Sequence, residues 1–130
     1  MLQQNWVDHA FIQAHTDGFA DLAQLVQDYA PAHTAKLCGI SEADLNLAAS
    51  LIGTAPSFLS MWCMGLNQST SGSAKNSALI NLHLATGQIG KVGSGPFSLT
   101  GQPNAMGGRE VGGLANMLAV TQTTPVTEPR

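Results

Sequence analysis

The sequence predicts an α/β fold in which helices accompany part of an open sheet and a glycine-rich irregular segment follows. Three observations carry this. Apolar residues in the first half recur at helical spacing between capping residues. A short apolar and aromatic run, 57–64, lies between Pro56 and Gly65 and precedes another helical pattern over 72–87. Beyond that pattern, nine glycines fall within the twenty-seven positions 87–113.

Taken in order, Phe19, Leu22, Ala23, Leu25 and Val26 form a helical stripe after Asp17, which predicts Asp17 as the N-cap. Pro31 ends that helix or opens the next, and Gly39 after Leu37 and Cys38 predicts a C-cap. Ser41-Glu42-Ala43-Asp44 is a capping box with Asp where Glu or Gln is usual, and LNLAASLI follows until Gly53 and Pro56 close the helix.

The run 57–64 reads as a buried strand. A polar loop, 66–72, leads into a helix over 72–87 with Ala74, Ala78, Leu79, Leu82 and Ala85 on its inner stripe and Gly87 at its end. Strand, polar loop and helix make a βα unit of a Rossmann-like open sheet. Residues 1–118 then form part of one domain, and the polar, proline-bearing tail 119–130 is expected to be disordered.

Composition narrows the function. Apolar residues make up 44% of the 130 and charged ones 10%, which is globular but low in charge for a freestanding surface, where about a quarter or more is usual. Faces covered by other parts of a larger protein would explain that deficit. A net charge of −3 leaves no basic footprint for nucleic acid. No stretch has the roughly eighteen apolar residues of a membrane helix, and the first residues lack the pattern of a signal peptide, so a cytoplasmic setting is expected. Cys38 and Cys63 form no metal or disulfide framework, and Cys38 is expected to be buried and inert.

The distribution of charge is more telling. Between Leu45 and Arg109, sixty-five positions hold no Asp or Glu, whereas Lys75, Lys91 and Arg109 all fall there. An anionic ligand suits such a stretch, because nearby carboxylates would repel it and glycines let backbone N–H groups approach it. Met64-Gly65-Leu66-Asn67-Gln68 falls at the carboxyl end of the predicted strand, where open α/β sheets bind ligands. Gly65 permits a tight turn, and Asn67 and Gln68 offer donor and acceptor together, as a heterocycle edge requires. A polar turn capping the next helix would use the same residues. Arg109, among glycines, has a planar guanidinium that matches a planar oxyanion with two parallel hydrogen bonds. Its bland alternative is a surface pair with Glu110.

Other chemistries find no support. Lys91 after Gly90 is followed by Val92, so there is no Walker loop, and Gly93 and Gly95 are followed by Ser98, so there is no G-x-G-x-x-G. His9, His15, His33 and His83 lack metal-ligand spacing and read as surface or packed histidines. The serines form no nucleophile elbow.

Three ordered runs, W-C-M-G-L-N-Q-S-T-S-G (62–72), N-L-H-L-A-T-G-Q-I-G-K (81–91) and F-S-L-T-G-Q-P-N-A-M-G-G-R-E-V-G (97–112), closely resemble the molybdopterin oxidoreductases. The S-L-T-G-Q-P…R-E-V-G run is similar to the nitrate reductases among them, the bacterial assimilatory kind in particular. The resemblance covers about residues 5–118.

That resemblance implies molybdenum bound by bis(molybdopterin guanine dinucleotide), with Met64, Gly65, Asn67 and Gln68 in the loop that meets the cofactor. It implies that Gln102 and Arg109 line the pocket beside the metal, where Arg109 orients nitrate. Nitrate would be reduced to nitrite and water with electrons delivered through an iron–sulfur cluster (4Fe–4S). The donor would be ferredoxin, flavodoxin or an NAD(P)H-linked reductase. The chain is much shorter than a catalytic subunit of that family, and it lacks both the cluster's cysteines and the segment supplying a cysteine to molybdenum. It is therefore expected to be an internal fragment, inactive without the remainder of the subunit. Another oxidoreductase of the family, such as a formate dehydrogenase, is the second reading, and a noncatalytic cofactor-binding module is the third.

Overall fold

A computed structural model describes residues 1–99. Gln102, Arg109, the later part of the glycine-rich segment and the tail 119–130 lie outside the described residues. Met1–Ser98 form one compact unit.

After a 3₁₀ turn at Leu2–Gln4, helix α1 spans His9–His15. Asp8 starts it by accepting the Phe11 N–H at 2.9 Å, and its inward residue is the buried Ile12. Helix α2, Phe19–Leu25, runs into a 3₁₀ turn at Val26–Asp28. Its N-cap is Gly18, at φ 74°, and not the expected Asp17. The left-handed glycine turns the chain one residue later than the carboxylate would have done, and no side chain caps this helix.

Helix α3, Pro31–Cys38, has Pro31 in its first turn and Gly39 at φ 70° as its C-cap, as the sequence predicts. Cys38 is exposed, contrary to expectation, because the buried face of α3 contains only Ala35. Helix α4, Glu42–Thr54, opens on Ser41, whose Oγ accepts the Asp44 N–H at 3.0 Å while donating to Asp44 Oδ2 at 2.7 Å. Gly53 lies within α4 and does not close it. It makes room for Trp6, since a Cβ there would come within 2.7 Å of the Trp6 side chain.

Strand β1 covers Leu59–Trp62, less than the predicted 57–64. At Cys63 the backbone leaves the strand, and a one-turn helix α5, Met64–Asn67, begins where an irregular polar loop was expected. Helix α6, Gly72–Ala85, follows. Its end is a Schellman motif: Gly87, at φ 61°, donates to Leu84 O at 3.1 Å and Gln88 donates to His83 O at 2.8 Å. Strand β2, Gly95–Ser98, then pairs parallel to β1 in the register Leu59↔Gly95, Ser60↔Pro96, Met61↔Phe97 and Trp62↔Ser98.

The described residues thus form a mixed α/β structure, mostly helical, with one two-stranded parallel sheet. Helix α6 packs on both α1 and β2. Asp8 fastens the first of these contacts: its N–H donates to Ala85 O at 2.8 Å, and its side chain fills the space beside Gly87.

The two faces of the sheet differ. Ser60 and Trp62 share one face, and Ser60 meets His83 of α6. On the other face Leu59, Met61 and Phe97 remain 46%, 63% and 50% exposed. Parallel sheets are ordinarily covered on both sides, so this apolar face fits a piece of a larger sheet domain.

Candidate functional site at the carboxyl ends of the strands

Both strands end on the same edge, with Trp62 opposite Ser98. Helix α5 and residues 68–71 cross that edge before α6 begins. Asn67 connects all three parts. Trp62 Nε1–H donates to Asn67 Oδ1 at 3.0 Å, and Asn67 Nδ2 donates to Ser98 Oγ at 3.0 Å. Because indole N–H can only donate, the orientation of the Asn67 amide is fixed. One N–H and one lone pair remain on Asn67 for any further partner.

Its neighbours in the loop face outward. Met64 is 50% exposed, and Gly65 has nothing within 4 Å of the position a Cβ would take. Gln68 caps α5 through its backbone, donating to Met64 O at 2.9 Å, while its exposed side chain makes no hydrogen bond among the described residues. Met64, Gly65, Asn67 and Gln68 therefore lie together at one strand edge.

The start of α6 adds a cation. Lys75 Nζ donates to Ser69 Oγ at 2.8 Å, and Gly72 N–H donates to Ser69 O at 2.9 Å. Gly72 is buried where the chain doubles back, so close that a Cβ would approach Asn67 O at 2.7 Å and Leu66 O at 3.0 Å. No carboxylate occurs from Leu45 to Leu99, so Lys75 and the partial positive charge at the start of α6 are not neutralised within this segment.

Beneath the edge, His83 is fully buried. Its Nε2 lies 2.7 Å from Ser60 Oγ and its ring stacks on Phe58, with centroids 4.1 Å apart and planes within 12°. Loss of hydration pushes its pKa below the ordinary range, and the Gln88 backbone offsets part of that effect. His83 Nδ1, Gln88 Oε1 and Ser94 Oγ are buried polar atoms without hydrogen-bond partners among the described residues.

The structural roles of Trp62, Ser98 and Ser60 escape sequence reasoning. Only the strand register puts Trp62 beside Ser98, and only the path of α6 puts His83 beneath Ser60. Among the described residues, no three His, Cys, Asp or Glu side chains converge to hold a metal ion, and no helix is long and apolar enough to cross a membrane. A groove of about 420 Å³ lies elsewhere, between α6, α2 and the N-terminal 3₁₀ turn, with Val7, Phe19, Leu22, Val26 and Leu82 in its wall. It contains no residue of the 63–71 loop.

No family model matches the chain. Curated proteins do. It is 56% identical over 114 residues, 88% of the chain and 16% of the relative, to a nitrate reductase of Synechocystis sp.. To a nitrate reductase of Shewanella frigidimarina it is 49% identical over 121 residues, 92% of the chain and 13% of the relative. A formate dehydrogenase alpha subunit of Methanocaldococcus jannaschii is 35% identical over 117 residues, 90% of the chain and 17% of that subunit. The chain spans between about an eighth and a sixth of the length of these relatives. Identity of this extent, held across nearly all of the chain, means that it belongs to the family of these nitrate reductases.

Proposed function

We propose that the segment belongs to a molybdenum-dependent nitrate reductase of the assimilatory, cytoplasmic kind and supplies part of its cofactor and nitrate pocket. The observation that carries this reading is the group Met64, Gly65, Asn67 and Gln68, gathered at the carboxyl ends of two parallel strands. Rossmann-like sheets bind nucleotides at that edge, and the parent domain is proposed to be one.

The residues present fit a pterin dinucleotide. Gly65 leaves open space for a flat ring system, and Gln68 offers an amide donor and acceptor with no protein partner among the described residues. Met64 adds an apolar, polarizable wall. Lys75 and the start of α6 add positive charge on the same side of the strand edge. Gly65 and Gln68 would hold bis(molybdopterin guanine dinucleotide), with Met64 and the remaining valences of Asn67 completing the contact.

When bound, that group supplies two-electron oxygen-atom transfer: nitrate, two electrons and two protons give nitrite and water. Arg109 binds nitrate through a fork of two hydrogen bonds and favours the charge that develops as the N–O bond breaks. Gln102 lines the same pocket. Electrons would come from ferredoxin, flavodoxin or an NAD(P)H-linked reductase, and an iron–sulfur cluster would supply their transfer in the parent enzyme.

The identity to formate dehydrogenase alpha subunits keeps one second reading, a formate-oxidising parent. Assaying the full-length parent with nitrate and with formate separates the two. Turnover of nitrate is the expected result, and turnover of formate alone would remove the first reading.

A further inference from the structure

We infer that Asn67 is a positioning residue, a clamp that holds the cofactor loop to the ends of β1 and β2, and that Ser98 and Trp62 are its anchors. This rests on the reading of the site given above. It assigns Asn67 a task in addition to ligand contact, and it gives Ser98 and Trp62 roles that no sequence motif indicates.

The geometry is specific. Trp62 and Ser98 are the last residues of β1 and β2 and lie opposite each other in the register. Among the described residues, backbone pairing between the strands ends with them. Asn67 takes over there, accepting from Trp62 Nε1 and donating to Ser98 Oγ, both at 3.0 Å. The second bond spans thirty-one residues of sequence.

What the clamp joins gives it consequence. On one side, Met64, Gly65 and Gln68 are all within three positions of Asn67. On the other is Ser98, the end of β2. A shift of Ser98 relative to Asn67 would release the 64–68 loop from the end of β2 without changing the residue types in that loop. Direction matters too, because Oδ1 is committed to an indole that can only donate. Flipping the Asn67 amide would therefore cost the Trp62 bond, while Ser98 Oγ, able to donate as well as accept, could keep its own.

The test uses the full-length parent holoenzyme with Ser98→Ala, Ser98→Thr, Asn67→Ala and the Ser98→Ala/Asn67→Ala pair. Nitrate kinetics, pterin content and backbone amide exchange over residues 63–71 are measured in each. A clamp predicts that Ser98→Ala changes KM or kcat for nitrate about three- to tenfold with pterin content retained. Exchange over 63–71 should accelerate while the helices stay protected. The double variant should be no worse than Asn67→Ala alone, and Ser98→Thr should restore values to within about twofold, since the hydroxyl is kept.

Wild-type kinetics and exchange in Ser98→Ala, or additive losses in the double variant, would overturn the clamp. If the wild-type parent holds no pterin or fails to reduce nitrate, the functional reading falls instead. The exchange measurement then still decides the clamp, because it requires neither substrate nor turnover.

Discussion

His83 Nε2 lies 2.7 Å from Ser60 Oγ, joining the middle of β1 to the last turn of α6 in a place with no access to water. The bond lies under the strand edge that carries the candidate site. It also makes the strand–helix contact sensitive to protons. His83 has its pKa lowered by burial, so the folded state favours the neutral ring more than the unfolded chain does. Below about pH 6.5 the unfolded chain gains a proton that the folded one resists, and stability falls as pH drops through that window. Above it the contribution is constant. Melting of the full-length parent between pH 8 and 5 should therefore fall less steeply in His83→Gln than in wild type; equal slopes would remove His83 from the effect.

Two glycines in the loop should behave oppositely. Gly72→Ala puts a methyl group at 2.7 Å from Asn67 O, against backbone that cannot rotate away, and should cost about 1–3 kcal/mol. Gly65→Ala meets open space within α5 and should leave melting unchanged or slightly raised. If Gly65 faces the cofactor as proposed, its variant should nevertheless purify with less pterin. Urea unfolding and pterin fluorescence after release read the two effects separately.

Gly53→Ala sets helix propensity against sterics. Alanine within a helix is worth about 1 kcal/mol over glycine. Here its methyl group would sit 2.7–2.8 Å from three atoms of Trp6, a rigid side chain that must leave its place. Displacing it should outweigh the gain and give a net loss of about 1 kcal/mol. Urea unfolding together with the Trp fluorescence maximum would report this; a stabilised protein with an unchanged spectrum would contradict it.

In the parent enzyme, Arg109→Lys should lower turnover or raise the KM for nitrate while molybdenum content stays near normal, because one arm of a two-pronged hydrogen bond is lost. Gln68→Ala should act earlier, reducing cofactor content before any kinetic change. Metal analysis beside steady-state rates distinguishes these outcomes. Parallel loss of metal and activity in Arg109→Lys would move that residue to the support of the cofactor.

Much of this arrangement was legible from local chemistry. Pro31, Gly39, Ser41 and Gly87 act on their immediate neighbours through φ, a missing N–H or a side-chain cap, and each begins or ends a helix as its type predicts. Misreadings arose where distant packing decides. Gly53 looked like a stop signal, but it is a seat for Trp6, forty-seven residues earlier. Asp17 lost its cap to Gly18, since a left-handed residue redirects the chain at little cost. Cys38 was expected inside, yet α3 buries a face too narrow to include it.

The site shows the same division. Met64, Gly65, Asn67 and Gln68 could be grouped from sequence because they are adjacent and follow a strand. That both polar ends of Asn67 are engaged could not, because its partners are separated from it by five and thirty-one residues and meet only through parallel pairing. His83 read as a packed or surface histidine, and nothing in the spacing pointed to Ser60.

The parallel register also dictates an order of events during synthesis. Leu59 pairs with Gly95, thirty-six positions later, and no hairpin can bring them together. A nascent chain must first complete α6 and close that long loop, so the sheet waits until Ser98 has left the ribosome. Until then Leu59 and Met61 lack the one partner strand found among the described residues, and this interval leaves their apolar side chains more exposed than in the finished sheet.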